Sequence, residues 1–292
     1  MSEHKPQPVK SIENLRQRVE RFFREPTGSK LQSRNQLSFD IPLTLRPETT
    51  IDYPSKSIAE FLNFIADALP DGELYLFGGL LRDLALLGRN GFSSDIDLVV
   101  EGSWENCVTY FQTLGAHKNK FGGYRLTVAG WPVDIWNAKQ TWAIEQGLVP
   151  YRGIYSLTKT TVLNWDAILM NWRDRTFVHA DTYVDAINSR VLDIVLEENP
   201  NPLGMAVRVF RHLCQKDARK ITQSAAEYLA HCADTYSFDD IRRAEIRSYG
   251  NSVVQPAIYR LFDHLKDVED QLSTRNRYSM ASDLLKKELG FA

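Results

Sequence analysis

Asp95 and Asp97 stand two apart in Asp95-Ile96-Asp97 and open an apolar run through Leu98-Val99-Val100. On a strand, residues i and i+2 share a face, so both carboxylates point one way while Ile96 turns into a core. A third acid, Asp134, sits alone among apolar residues in Val133-Asp134-Ile135-Trp136, as it would on a neighbouring strand. Upstream, Gly78-Gly79 lies between an apolar stretch, Leu74 to Phe77, and a second one, Leu80 to Leu87. Backbone N–H groups free of side-chain bulk at a helix N-terminus suit a phosphate. Carboxylate oxygens suit Mg²⁺, which prefers octahedral oxygen surroundings. Attack of a hydroxyl on a nucleoside triphosphate uses such parts: a triphosphate held in line and two Mg²⁺ ions about 4 Å apart, for which Mn²⁺ can substitute. Taken alone, a D-x-D also occurs in surface turns, and Gly-Gly in any tight turn.

The elements that must position these residues are legible in the same way. Ile12, Leu15, Val19 and Phe22 recur at helical spacing after Ser11, a candidate cap. Residues 26–54 are rich in Pro, Ser, Thr and Asn and are expected to form a connecting arm with one edge strand. Ser57-Ile-Ala-Glu60 predicts a capping box for a helix with the stripe Ile58, Phe61, Leu62, Ile65 and Leu69. Leu74–Phe77 is then a buried strand, Leu80–Leu87 a helix ended by Gly88, Asp95–Val100 a second strand, and Ser103 starts a helix to about Leu114. Tyr124–Val128 and Pro132–Trp136 predict a hairpin turning at Ala129-Gly130. Beyond about residue 185 the pattern is helical, with candidates at Ala206–Cys214, Ser224–Cys232, Phe238–Ser248, Val254–Val268 and Tyr278–Leu289.

Gly78-Gly-Leu-Leu-Arg-Asp83, Leu87-Gly-Arg89 and Ser94-Asp-Ile-Asp-Leu-Val-Val100 together resemble the G-G-x-V-R-D…L-G-R…D-I-D signature of tRNA CCA-adding enzymes and bacterial poly(A) polymerases. These belong to the DNA polymerase β-type nucleotidyltransferase superfamily. Phe121 to Gly130 with Val133-Asp-Ile135 is similar to the family's hairpin bearing the third carboxylate. Asp166-Ala-Ile-Leu-Met-Asn171 resembles its I-N-A-L-A-x-N strand, Tyr183–Leu192 the segment closing its head, and Asn201-Pro-Leu with Arg208 and Arg211 the helix that follows. The resemblance covers about residues 58–212. Where the family has R-R-D before that strand, this chain has Thr160-Thr161-Val162.

The resemblance implies an α/β (α+β) nucleotidyltransferase head with a short mixed sheet, followed by an all-helical C-terminal part. The corresponding divisions are an N-terminal helix and connecting arm at 1–54, a catalytic head at 55–198 and a helical domain at 199–292. It implies addition of NMP from ATP and/or CTP to an RNA 3′ end, tRNA first, without a template. Asp95 and Asp97 would bind both ions and Asp134 the catalytic one, with Gly78, Gly79, Arg82 and Ser94 toward the triphosphate. Arg82 could instead pair with an acidic neighbour, and Ser94 could serve a turn. Arg208 and Arg211 either contact phosphates or brace the head against the helical part. Two alternatives remain: the acceptor is a protein or small molecule, or the chain is a silent RNA-binding module.

Composition sets the outer bounds. Hydrophobic residues make up 43% and charged residues 25%, with a net charge of −2. Residues 51–200 hold 12 Lys/Arg against 19 Asp/Glu, whereas 1–50 hold 9 against 6 and 201–250 hold 8 against 6. An acidic centre with mildly basic flanks suits a metal site beside a polyanion-tracking surface, with Arg242 and Arg243 among the candidate RNA contacts. No apolar run approaches the roughly 18 residues of a membrane span, and the start lacks a signal-peptide core, so a cytoplasmic protein without a membrane partner is expected. Cys107, Cys214 and Cys232 form no C-x-x-C pair, predicting neither a disulfide framework nor a zinc site.

Overall fold

The computed structural model describes residues 7–24, 51–92, 94–216 and 218–267. Ser93, most of the expected arm and the expected helix Tyr278–Leu289 lie outside them. In chain order the elements are α1 (Ile12–Arg24), β1 (Ile51–Tyr53), α2 (Ile58–Asp67), β2 (Glu73–Phe77), α3 (Gly79–Leu87), β3 (Ile96–Glu101), α4 (Trp104–Thr113), β4 (Tyr124–Val128), β5 (Trp131–Asn137), α5 (Trp142–Glu145), β6 (Ile168–Asn171) and β7 (Phe177–His179). There follow α6 (Tyr183–Ser189), β8 (Val191–Leu192), α7 (Pro202–Gln215), β9 (Lys220–Ile221), α8 (Gln223–Thr235), α9 (Phe238–Tyr249) and α10 (Pro256–Asp267). The described residues divide into two compact units, the first comprising 7–24, 51–161 and 165–184, the second 162–164 and the residues from Asp185 on.

The first unit is built on a seven-stranded mixed sheet of order β1-β4-β5-β3-β2-β6-β7. β2 runs antiparallel to both β3 and β6, and β3 runs parallel to β5. β4 and β5 form the expected hairpin, with Ala129 at φ +49° and Gly130 at φ +81°. Positive φ at both turn residues matches the right-handed twist of the flanking strands, so the two-residue loop holds the register tightly. Ile96, Leu98, Val100, Val133 and Ile135 are fully buried on one side of the sheet. On the other side Tyr75, Phe77, Val99, Leu157 and Leu169 form a second apolar cluster, with Trp136 and Tyr151 packed against it.

The helices of this unit follow their caps. Ser57 accepts the Glu60 amide at 3.1 Å, but the Glu60 carboxylate reaches Lys56 N and Ser55 Oγ rather than Ser57's own amide. Only half of the expected capping box is therefore present. Helix α1 buries Leu15, Val19 and Phe22 and belongs to this unit, its approach fixed by Val9 N donating to Ala85 O at 2.9 Å.

Among the described residues the second unit is mainly helical, with one short parallel strand pair, β8 with β9, which the helical periodicity beyond residue 185 did not foretell. The expected helices are α7, α8, α9 and α10. A two-residue pair carries too little alternation to register in a sequence pattern. Among the described residues no helix is long and apolar enough to cross a membrane, and all three cysteines are free thiols.

Candidate active site

The three carboxylates come together through strand register. Asp97 and Asp134 are direct partners on the parallel strands β3 and β5. Asp95 precedes Asp97 by two residues, at the point where β3 begins. Their side chains are largely shielded yet open to solvent: Asp95 is 20% and Asp134 23% exposed.

Arg125, on β4, completes the group and was not anticipated. It is the register partner of Asp134. One guanidinium nitrogen donates to Asp95 Oδ2 at 2.5 Å and another to Asp134 Oδ2 at 3.1 Å. Burial works against its charge, but Asp134, then Asp95 and Asp97, more than offset this and raise its pKa above the ordinary arginine value. The signal for Arg125 was present in the sequence: a two-residue turn at Ala129-Gly130 places residue 125 opposite residue 134.

An all-oxygen set of carboxylates fits a hard divalent cation by donor type, and all three acids lie on one face at one end of the sheet. The set is not closed around one point, since among the described residues no group of three or more His, Cys, Asp or Glu side chains is placed to hold a metal ion. In this arrangement the cation spanning Asp95 and Asp134 is the Arg125 guanidinium.

The Gly-Gly turn lies at the same end. Phe77, the last residue of β2, pairs with Asp97, so the chain leaves the sheet beside the start of β3. Gly78 turns at φ +60° and ψ −112°, a conformation that side chains oppose, and donates its N–H to Ile168 O at 3.0 Å. It supplies no side-chain cap to α3. A Cβ on Gly79 would stand 3.0 Å from both Cβ and Oγ of Ser94, so the turn packs directly on the residue before Asp95.

The structure places Arg82 beneath the turn instead of toward solvent, correcting the expected triphosphate contact. Only 2% exposed, it donates from Nε to Asp83 at 2.9 Å, from Nη2 to Ser94 Oγ at 2.8 Å, and from Nη1 to Asp166. Ser94 in turn donates to Asp83 at 3.1 Å. Burial alone would lower the Arg82 pKa, yet Asp166 and Asp83 hold it above the ordinary value. Ser94 is thus committed to this network as well. Asp166 lies 84 residues from Arg82, which is why no local pattern revealed it.

Arg211, expected as a phosphate contact or as a brace of the head against the helical part, instead bonds residues of the second unit itself. It is 8% exposed, bonds Glu245 at 2.5 Å and Asn251 at 3.1 Å, and stacks 3.8 Å over the Tyr249 ring. Arg208 is half-buried one turn back on α7. Arg242 and Arg243 are exposed on α9, Arg243 in a 2.6 Å pair with Asp240.

No family model and no curated protein sequence matches the chain. Solved structures similar to it include a tRNA-processing enzyme with CTP, at 17% identity, covering 78% of this chain and 70% of that one with a TM-score of 0.43. Another is the Thermotoga maritima CCA-adding enzyme complexed with tRNA, at 14% identity, 80% and 64% coverage and a TM-score of 0.44. A third is a tRNA nucleotidyltransferase complexed with a primer tRNA and an incoming ATP analog, at 14% identity, 78% and 75% coverage and a TM-score of 0.44. These are distant likenesses.

Proposed function

We propose that this chain is a metal-dependent, template-independent nucleotidyltransferase that adds NMP from ATP or CTP to the 3′-hydroxyl of an RNA, tRNA first, releasing pyrophosphate. The observation that carries the reading is the meeting of Asp97 and Asp134 as register partners, with Asp95 beside them and the Gly78-Gly79 turn at the same end of the sheet. The signature across Gly78–Val100 supports it. Asp95 and Asp97 would hold two Mg²⁺ or Mn²⁺ ions and Asp134 one of them. Such ions, when bound, lower the pKa of the attacking hydroxyl and neutralise the leaving pyrophosphate.

The protein's own part is positional. The first amides of α3 offer uncapped donors to the triphosphate. The Arg82–Asp83–Asp166–Ser94 network holds that turn against the start of β3, so triphosphate and carboxylates keep one spacing. Removing solvent freedom from these groups in advance is how a site of this kind accelerates transfer.

A second reading keeps the chemistry and changes the acceptor to a protein or small molecule. Thr160-Thr161-Val162, standing where the resembled family has R-R-D, favours it. Incubation with each α-labelled NTP, Mg²⁺ or Mn²⁺, and total cellular extract separates the two. Label at RNA 3′ ends is expected. Label in protein or small molecules moves the second reading to first place, and no label with any NTP overturns the enzyme reading.

A further inference from the structure

At the opposite end of α3 from the Gly-Gly turn, about 13 Å away along the helix, lies a cleft of about 310 Å³ lined in part by Lys10, Asn14, Gln17, Arg18 and Arg21. Arg18 clamps α1 to α3: Nη1 donates to the carbonyls of Leu84 at 2.8 Å and Ala85 at 3.1 Å, and Nη2 to that of Gln7 at 2.6 Å. All three acceptors are neutral, so its positive charge is solvated but not cancelled. Burial lowers its pKa most, and the neighbouring Arg21 lowers it further. Lys10 and Arg21 are exposed. Among the described residues no carboxylate pairs with Lys10, Arg18 or Arg21.

Three like charges around one cleft repel each other, and an anion seated among them removes that cost. Asn14 and Gln17 add neutral amide donors of the kind that contact phosphate oxygens. Among the described residues no aromatic ring lines the cleft to stack on a base, so its chemistry discriminates charge, not sequence. We propose that this cleft seats phosphodiester groups of the acceptor RNA upstream of its 3′ end. The proposal rests on the RNA-acceptor reading and adds a contact surface within the first unit, distinct from the carboxylates.

The test is the double variant Lys10→Glu/Arg21→Glu, with Arg18 left in place because it holds α3. Labelled tRNA binding is followed by fluorescence anisotropy at two salt concentrations, ATP–Mg²⁺ and inorganic phosphate binding by calorimetry, and folding by circular dichroism. The expected result is a loss of tRNA affinity of about tenfold or more at low salt. The log–log salt slope becomes shallower by about one per lost contact, while ATP binding and folding are unchanged. Lys10→Gln/Arg21→Gln gives a smaller loss in the same direction and stands in if charge reversal unfolds the protein. Equal tRNA affinity and slope in wild type and variant overturn the proposal. So does a loss of phosphate or ATP binding with tRNA binding intact, which would make the cleft a small-anion site. Absence of tRNA binding by the wild type itself fails the RNA-acceptor reading, an outcome separate from a variant that binds as well as wild type.

Discussion

Asp97 and Asp134 face each other across one ladder step, and two carboxylates so placed call for a counter-charge. Arg125 supplies one by bonding Asp95 and Asp134. If divalent ions use the same oxygens, guanidinium and metal compete for them. Arg125→Gln is therefore expected to bind Mn²⁺ about tenfold more tightly, which corresponds to ~1.4 kcal/mol, and to melt at a lower temperature without metal. Counting free Mn²⁺ by electron paramagnetic resonance checks the first, and equal or weaker binding by the variant would sink it. Asp95→Ala and Asp97→Ala are expected to abolish nucleotidyl transfer while the protein stays folded. Transfer within tenfold of wild type by either variant refutes the ligand assignment.

Helix α3 is the element on which the nucleotide end of the site depends, and its start is held from both sides. Above, Gly78 occupies a backbone region nearly closed to other residues, so Gly78→Ala should cost about 1–3 kcal/mol in urea unfolding. Below, Arg82 is buried between Asp83 and Asp166. Arg82→Leu withdraws the counter-charge from two buried carboxylates and should destabilise by about 3–5 kcal/mol, a cost set by the uncompensated acids and not by the net worth of the pair. An Arg82→Leu protein as stable as wild type would show that the network does not brace the turn. Arg211 and Glu245 repeat the device between α7 and α9, with Glu245 fully buried and also receiving the amides of Val253 and Val254.

For the whole molecule, charge is distributed unevenly around a small total. The acidic stretch 51–200 holds the carboxylates, and the segments in which basic residues outnumber acidic ones, 1–50 and 201–250, lie before and after it. Phosphate contacts release counterions, so tRNA affinity should fall steeply with salt whereas nucleotide affinity should fall little. Arg242→Glu/Arg243→Glu, on the exposed face of α9, should weaken tRNA binding without altering ATP binding. Titration of both ligands at two salt concentrations decides this. Indifference of tRNA binding to salt and to charge reversal would count against an RNA acceptor.

What the sequence determined by itself is what contiguous residues decide. The alternation Asp95-Ile96-Asp97-Leu98 places two acids on one strand face, Gly78-Gly79 interrupts two apolar runs, and Ala129-Gly130 demands a two-residue turn. The hairpin even determined the Arg125–Asp134 pairing, though a reading of motifs alone passed over it. Tertiary structure decided the rest. A parallel ladder has no connecting turn to set its register, so only packing of both sheet faces could bring Asp134 level with Asp97. Arg82 stands one turn into a phosphate-type helix, and its neighbours in sequence left two roles open, outward to a phosphate or paired with Asp83. The acid that draws it inward, Asp166, arrives from 84 residues away. Whether a charge faces solvent or a partner is fixed by which distant segment passes beneath it, and local periodicity carries no term for that.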